Sequence, residues 1–135
     1  MSLKGKRIFY IEDNVGNRSL VEVLMEQRGA QCAFERWGGK DVVKRLMAFM
    51  PVDLILLDLM LPNNISGYDV FDVLRTIPAL NHIPIAITSA ADPSIEMTKA
   101  RAKGLAGYIA KPISVLYFPS QIADLIAGKN VWYGG

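Results

Sequence analysis

The sequence predicts an α/β fold in which helices cover both faces of a parallel β-sheet. Two observations support this prediction. Short apolar segments recur five times along the chain, and each is followed by a longer segment whose apolar residues have helical spacing. The short segments are apolar at consecutive positions, which is typical of strands that are buried on both faces. Because five strands are too few to close an eight-stranded barrel, we expect an open, doubly wound sheet.

The predicted strands and helices alternate along the whole chain. Strands are predicted over residues 7–11, 31–35, 53–57, 83–88 and 107–109. Helices are predicted over residues 15–28, 39–50, 67–75 and 93–103, and a last helix ends near residue 127. We assign residues 6–128 to one domain, residues 1–5 to a disordered or expression-derived start, and residues 129–135 to a flexible tail.

Residues with known preferences for helix ends support several of these boundaries. Ser66 and Asp92 are suitable N-caps, and Pro93 suits a first helical position. Gly29 and Gly104 follow predicted helices, where glycine commonly ends a helix in the left-handed conformation.

The composition excludes several classes of protein. With 135 residues and 51% hydrophobic content, the chain can bury the core of one domain of ordinary size. A formal net charge of +2 and scattered basic residues argue against direct binding to nucleic acid. No apolar run approaches the roughly 20 residues that span a bilayer, and the single cysteine, Cys32, cannot form an internal disulfide. We therefore expect a cytoplasmic protein that binds neither membrane nor nucleic acid.

Polar residues stand at the carboxyl ends of four predicted strands. Because these ends meet at one edge of a parallel sheet, we expect the side chains to converge there. The residues are Glu12 and Asp13 after the first strand, Asp58 after the third, Ser89 at the end of the fourth and Lys111 after the fifth. The neighbouring Thr88 fits a packed core position better than a place in the site.

This set of side chains suits phosphoryl transfer. Three neighbouring carboxylates repel one another and favour a bound cation, and oxygen ligands without His or Cys favour Mg²⁺. Asp58 can act as a nucleophile toward a phosphoryl group, while Lys111 neutralises the phosphoryl oxygens. The hydroxyl of Ser89 can donate a hydrogen bond to a remaining oxygen.

Five segments resemble the signature blocks of response-regulator receiver domains, the phosphorylatable switches of two-component signalling. The segments are IEDN at residues 11–14, LLDLMLP at 56–62, SGYD at 66–69, ITSA at 87–90 and YIAKP at 108–112. The resemblance covers residues 6–128, and all five blocks occur in order, each at a strand end. It implies a flavodoxin-like sheet of five strands in the order 2-1-3-4-5, with helices on both faces.

The resemblance implies a role for each matching residue. Asp58 corresponds to the phosphoacceptor. The metal ligands would be Glu12, Asp13, Asp58 and the backbone carbonyl of Met60, with Mg²⁺ as the cofactor and Mn²⁺ as a substitute.

A second group of residues corresponds to the phosphate-binding and switch positions of the family. Ser89, the backbone amide of Ala90 and Lys111 would bind the phosphoryl group. Ser89 and the aromatic Tyr108 would couple phosphorylation to the surface of the fourth helix, fifth strand and fifth helix. The peptide bond between Lys111 and Pro112 is expected to be cis.

The implied function is a phosphorylation-activated switch rather than an enzyme that acts on a separate substrate. A sensor histidine kinase or a histidine phosphotransfer protein would supply the phosphoryl group, and the switched surface would bind an unknown downstream protein or a second copy of the chain. Arg101 and Lys103 are candidates for that surface. Apolar Met60 and Ala91 leave no obvious group to orient an attacking water, so we expect slow self-dephosphorylation.

Two features depart from the family pattern. Glu12 stands where many members have aspartate, which keeps the charge and lengthens the side chain by one methylene. The loop at residues 63–67 is one residue longer than usual, and we expect the extra residue to bulge outward near Asn63 or Asn64.

Other interpretations remain open from the sequence. The chain could be a receiver-like interaction module that works without phosphorylation. It could also be a phosphohydrolase with an aspartate nucleophile, although that chemistry needs a carboxylate where Met60 stands. Glu12 and Asp13 could also stabilise the start of the first helix, and Tyr108 could be a static core residue.

Overall fold

The sheet of the computed structural model, which describes residues 2–135, has six parallel strands in the order β2-β1-β3-β4-β5-β6. The strands are β1 (Arg7–Ile11), β2 (Gln31–Glu35), β3 (Leu54–Asp58), β4 (Ile85–Ser89), β5 (Gly107–Ala110) and β6 (Val131–Tyr133). The first five strands have the predicted order, and their bounds lie within two residues of the predicted ones. The α/β, doubly wound prediction is confirmed.

Five α-helices connect the strands, as the sequence predicted. They are α1 (Val15–Glu26), α2 (Val42–Phe49), α3 (Gly67–Arg75), α4 (Pro93–Lys103) and α5 (Phe118–Ile126), and a short 3-10 helix covers Pro78–Leu80. The predicted caps are present. Ser66 and Asp69 form a reciprocal capping box at α3, Asp92 caps α4, and Gly104 ends α4 at a φ of 89°.

The sheet has one more strand than the five that we expected, and the correction lies in the supposed tail. Val131, Trp132 and Tyr133 pair with β5 in parallel register. The segment is only three residues long, so it gives little periodic signal. A close approach to Gly107 allows the pairing, because a Cβ at this glycine would lie 2.6 Å from the carbonyl oxygen of Val131.

The segment before β1 also packs against the fold. Leu3 is buried, and its amide donates a hydrogen bond of 2.8 Å to the carbonyl of Arg28 after α1. The amide of Gly5 donates to the carbonyl of Gly29 at 3.2 Å. Residues 3–5 therefore cover the turn between α1 and β2.

The core consists of two apolar layers, one on each face of the sheet. Alternate residues of each strand enter opposite layers: Ile8 and Tyr10 face one, while Phe9 and Ile11 face the other. Helices α1 and α5 cover the first layer, and α2 and α3 cover the second. None of the helices within residues 2–135 combines the length and apolar character needed to cross a bilayer.

Candidate functional site

The sheet register brings four of the predicted site residues to one edge. Glu12 directly follows β1, Asp58 ends β3, Ser89 ends β4 and Lys111 directly follows β5. The amide of Lys111 donates to the carbonyl of Ser89 at 2.7 Å, which continues the β4–β5 pairing by one residue. The carboxyl ends of the parallel strands thus position these side chains together, as the sequence predicted.

Lys111 joins two acidic side chains at this edge. Its Nζ lies 2.7 Å from Oε1 of Glu12 and 3.1 Å from Oδ1 of Asp58. The side chains are nearly removed from solvent, with exposed fractions of 0% for Glu12, 12% for Asp58 and 13% for Lys111. One ammonium therefore neutralises part of the charge of two buried carboxylates.

Asn17, one turn into α1, also holds Glu12. Its side-chain Nδ2 donates a hydrogen bond of 2.6 Å to Oε1 of Glu12. The second carboxylate oxygen, Oε2, is buried and has no hydrogen-bond partner among the described residues. Such a buried, unpaired acceptor is costly, because it has lost its water without gaining a partner.

The environment of Asp58 makes its carboxylate hard to ionise. Burial, followed by the nearby Glu12 carboxylate, raises the pKa of Asp58 to about 7, and Lys111 opposes this shift. Ionised Asp58 therefore needs more positive charge nearby than Lys111 alone provides.

Asp13, the second acidic residue after β1, lies apart from this cluster. Its Oδ1 is 3.6 Å from Nε of Arg36, and both side chains are largely exposed. In the part of the chain that the structure describes, no three acidic, His or Cys side chains are gathered closely enough to hold a metal ion. Because an exposed pair at this distance is weak, Arg36 holds the Asp13 side chain only loosely.

The loop after β3 forms a tight hairpin. Asn63 and Asn64 are exposed and have φ values of 63° and 58°, and the amide of Ile65 donates to the carbonyl of Pro62 at 3.4 Å. Asparagine tolerates this left-handed conformation better than most residues. The exposed turn of this loop is therefore formed by Asn63 and Asn64.

Met60 lies at the base of this hairpin, opposite Ser66. The flanking bonds run from the amide of Leu61 to the carbonyl of Ile65 and from the amide of Gly67 to the carbonyl of Leu59. Met60 is therefore in a non-hydrogen-bonded pair, whose backbone groups face away from the opposite segment. Its carbonyl is left available to another partner.

Gly67 allows α3 to begin directly beside Asp58. A Cβ at Gly67 would lie 2.6 Å from the carbonyl oxygen of Asp58 and 2.8 Å from Cδ1 of Ile87. Real side chains do not approach backbone this closely, so only glycine fits. The SGYD block therefore has a steric role in addition to capping α3.

Ser89 and Tyr108 meet at the loop between β4 and α4. Oγ of Ser89 accepts a hydrogen bond of 2.9 Å from the amide of Ala91, and the hydroxyl of Tyr108 donates to the carbonyl of Ala91 at 3.2 Å. The side chains of Ser89 and Tyr108 are buried, while Ala90, which lies between Ser89 and Ala91 in the chain, is exposed. The Lys111–Pro112 peptide bond on the other side of the site is cis.

Sequence reasoning missed three residues that act on the site. Asn17 binds Glu12, Arg36 pairs with Asp13, and the hydroxyl of Tyr10 shares a hydrogen bond of 2.8 Å with Thr88. The signal for Asn17 was its place on the first turn of α1, close to the acidic pair. Arg36 directly follows β2, which the expected strand order places beside β1, but nothing in the sequence indicated that its side chain would pair with Asp13.

Comparison with known protein families gives one match over most of the chain. The family described as "Response regulator receiver domain" matches residues 8–122.

Two curated relatives contain a similar segment. "Transcriptional regulatory protein AfsQ1" of Streptomyces coelicolor is 32% identical over 119 residues, which are 88% of this chain and 50% of that protein. "Signal transduction histidine-protein kinase BarA" of Escherichia coli is 28% identical over 109 residues, which are 78% of this chain and 11% of the kinase. The chain thus spans half or less of the length of these two relatives.

A solved structure shares the fold. The non-phosphorylated HemR receiver domain from Leptospira biflexa has a TM-score of 0.77 at 22% sequence identity, with 90% of this chain and 94% of that chain covered. At this identity the similarity supports the fold alone, which is the doubly wound, flavodoxin-like arrangement.

Proposed function

This chain belongs to the response regulator receiver domain family of two-component systems, and we propose on that premise that Asp58 is its phosphoacceptor. The observation that carries the proposal is the buried cluster in which one ammonium, Lys111 Nζ, contacts both Asp58 and Glu12. A carboxylate at a strand end beside a fixed cation is suited to attack phosphorus and then to hold the product.

We propose that the phosphoryl group comes from a phosphohistidine on a sensor histidine kinase or a histidine phosphotransfer protein. The similarity to part of a histidine-protein kinase, BarA, supports this class of partner. The exchange would take place in the cytoplasm.

The proposed step is a transfer between two side chains. An oxygen of ionised Asp58 attacks phosphorus, the phosphorus–nitrogen bond of the donor breaks, and the imidazole, which carries a proton on its other ring nitrogen, leaves in the neutral form. The product is an acyl phosphate on Asp58. Lys111 neutralises one phosphoryl oxygen, while the Ser89 hydroxyl and the Ala90 amide donate hydrogen bonds to the others.

The residues fit a divalent cation, which we propose to be Mg²⁺ with Mn²⁺ as a substitute. The donor set contains oxygen atoms only, and the buried Oε2 of Glu12 has no partner among the described residues. The raised pKa of Asp58 also indicates unmet negative charge. Glu12, Asp13, Asp58 and the carbonyl of Met60 would hold the cation, which supplies positive charge to the carboxylates and the phosphoryl oxygens when it is bound.

The proposed output is a change at the surface of α4, β5 and α5, where Arg101 and Lys103 contribute positive charge. The contacts of Ser89 and Tyr108 with Ala91 support this coupling, since Ala91 directly precedes the N-cap of α4. A downstream protein or a second copy of the chain would bind this surface. In the structure, β6 lies on the same surface and pairs with β5. The acyl phosphate should be long-lived, because apolar Met60 and Ala91 flank the site without a group that orients water.

A mass measurement tests this proposal. The protein is incubated with Mg²⁺ and acetyl phosphate, and the intact mass is recorded for the natural chain, Asp58→Asn and Asp124→Asn. A lasting single phosphoryl adduct on the natural chain and Asp124→Asn, but not on Asp58→Asn, supports the switch. No adduct would favour a phosphorylation-independent interaction module, and steady release of phosphate at enzyme-like turnover would favour a phosphohydrolase.

A further inference from the structure

Strand β6 lies on the surface formed by α4, β5 and α5 and contacts all three elements. It pairs with β5 through residues 131–133. The guanidinium of Arg101 in α4 lies 4.7 Å from the centre of the Trp132 ring. The ring of Tyr133 lies 6.1 Å from the ring of Tyr117, the residue that precedes α5. The strand therefore connects the two helices that border β5.

The chain just beyond β6 reaches the first turns of α4. A Cβ at Gly134 would lie 3.4 Å from Cβ of Pro93 and 3.8 Å from Cε of Met97. Ala100 is the only fully buried residue of α4, and Met97 packs partly buried against the core. On its other side, the hydroxyl of Tyr68 donates a hydrogen bond of 2.7 Å to the Glu96 carboxylate. Contacts with β6 add to those that α4 makes with β5 and α3.

A short series of contacts connects the phosphoacceptor site to the same helix. Ser89 and Tyr108 both bond to the backbone of Ala91, and Asp92 follows as the N-cap of α4. Tyr108 is also the direct register partner of Trp132 in β6. A change at Ser89 therefore acts on the start of α4. Gly134, directly after β6, packs against the same part of this helix.

We propose that β6 is a releasable strand that is docked while Asp58 is unmodified and leaves the edge of β5 when Asp58 is phosphorylated. This inference rests on the proposed function of Asp58. To donate a hydrogen bond to a phosphoryl oxygen, the side chain of Ser89 would turn toward Asp58. Its Oγ would then no longer accept the hydrogen bond from the amide of Ala91. The start of α4 then shifts, and β6 loses part of the surface on which it packs.

Release has a definite consequence for the output surface. While β6 is docked, residues 107–109 of β5 are paired with residues 131–133. Departure of β6 exposes this edge and the buried side of Trp132. The docked strand is thus an internal competitor for whatever binds this surface, and its three-residue length keeps the competition weak enough to be reversed.

Coupling between two sites is reciprocal, so loosening β6 should favour the phosphorylated state. Two substitutions loosen β6 without touching the site. Gly107→Ala places a Cβ 2.6 Å from the Val131 carbonyl oxygen, and Trp132→Ala removes the ring under Arg101. Gly39→Ala is a matched control for the first, since its nearest contact would be 3.7 Å. Val23→Ala, at an exposed position of α1, is a control for the second.

The experiment measures amide hydrogen exchange and intact mass on the same full-length sample, with Mg²⁺ and with or without acetyl phosphate. We expect exchange in residues 131–133 to rise about fivefold or more on phosphorylation, while β1 stays unchanged. Asp58→Asn should show no rise. Gly107→Ala and Trp132→Ala should show fast exchange in this segment without phosphate and a higher adduct yield at limiting acetyl phosphate.

The outcomes separate this inference from the proposed function. An adduct on Asp58 with unchanged exchange in residues 131–133 overturns the release of β6 and leaves the phosphoacceptor standing. Faster exchange in both variants without any gain in adduct yield also overturns it, because coupling must act in both directions. If no adduct forms on the natural chain, the phosphoacceptor role fails and the inference fails with it.

Discussion

The ammonium of Lys111 lies 2.7 Å from a carboxylate oxygen of Glu12, a residue with no exposed surface. Removing one member of a buried ion pair is costly, because the other charge is left without a partner.

We therefore predict that Lys111→Met lowers the free energy of unfolding by roughly 1–3 kcal/mol at neutral pH without divalent cations. The loss stays below the full cost of an unpaired buried charge, because Asp58 can take up a proton. Urea unfolding followed by circular dichroism measures this difference. Lys129→Met is the control, since its amine is 4.0 Å from Asp124 in an exposed pair. Equal stability of the two variants would contradict a structural role for the Lys111 pair.

Asp58 should make stability depend on pH in a definite direction. Burial and Glu12 raise its pKa to about 7 in the folded protein, whereas an unfolded aspartate titrates near pH 4. Between these values the folded state holds a proton that the unfolded state has released, so the stabilising contribution of Asp58 is complete below about pH 4 and is lost as the pH rises to about 7.

Asp58→Asn removes this dependence. We predict that the variant is more stable than the natural chain by roughly 1–3 kcal/mol near pH 8 with a chelator present, and that this advantage shrinks toward about pH 4. Mg²⁺ should narrow the gap near pH 8 by stabilising the natural chain. Urea unfolding at several pH values tests this, with Asp124→Asn as a control. A stability difference that is constant with pH would show that Asp58 does not titrate in this range.

The sequence predicted the features that follow from chain order and local pattern. Strand ends and the convergence of Glu12, Asp58 and Lys111 follow from apolar segments in a parallel sheet, whereas the helix caps follow from local residue preferences. The same reasoning predicts which residues share an edge, because register at the carboxyl ends depends on where each apolar run stops.

The features that were missed depend on contacts between distant segments. Strand β6 forms because Gly107 leaves room for its backbone and because Trp132 packs beside Arg101, and neither partner is near in sequence. Similarly, the contact between Asp13 and Arg36 joins two residues that follow neighbouring strands. A pattern in one segment contains no information about such pairs.

Asn17 should act as a positioning residue for Glu12, since its amide donates to the oxygen that also contacts Lys111. We predict that Asn17→Ala weakens Mg²⁺ binding by about tenfold to a hundredfold, which corresponds to the loss of a hydrogen bond to a charged group. The affinity is measured by titrating the protein with Mg²⁺ while tryptophan fluorescence is recorded.

The control for this prediction is Asn14→Ala, which removes the N-cap of the same helix and costs about 1 kcal/mol of stability. A drop in Mg²⁺ affinity for Asn17→Ala alone indicates positioning. The same drop in both variants would attribute the effect to loosening of α1.

The hairpin after Asp58 should affect both stability and the metal site through Asn64. This residue has a φ of 58°, a conformation that is unfavourable for a β-branched side chain. We predict that Asn64→Val lowers the free energy of unfolding by about 1–2 kcal/mol, whereas Asn64→Gly changes it by less than about 0.5 kcal/mol. Because the hairpin fixes Met60 opposite Ser66, Asn64→Val should also weaken Mg²⁺ binding.

Urea unfolding and Mg²⁺ titration of both variants measure the two effects. Equal loss of stability in Asn64→Gly and Asn64→Val would contradict the turn conformation. Loss of stability in Asn64→Val with unchanged Mg²⁺ affinity would separate the hairpin from the metal site.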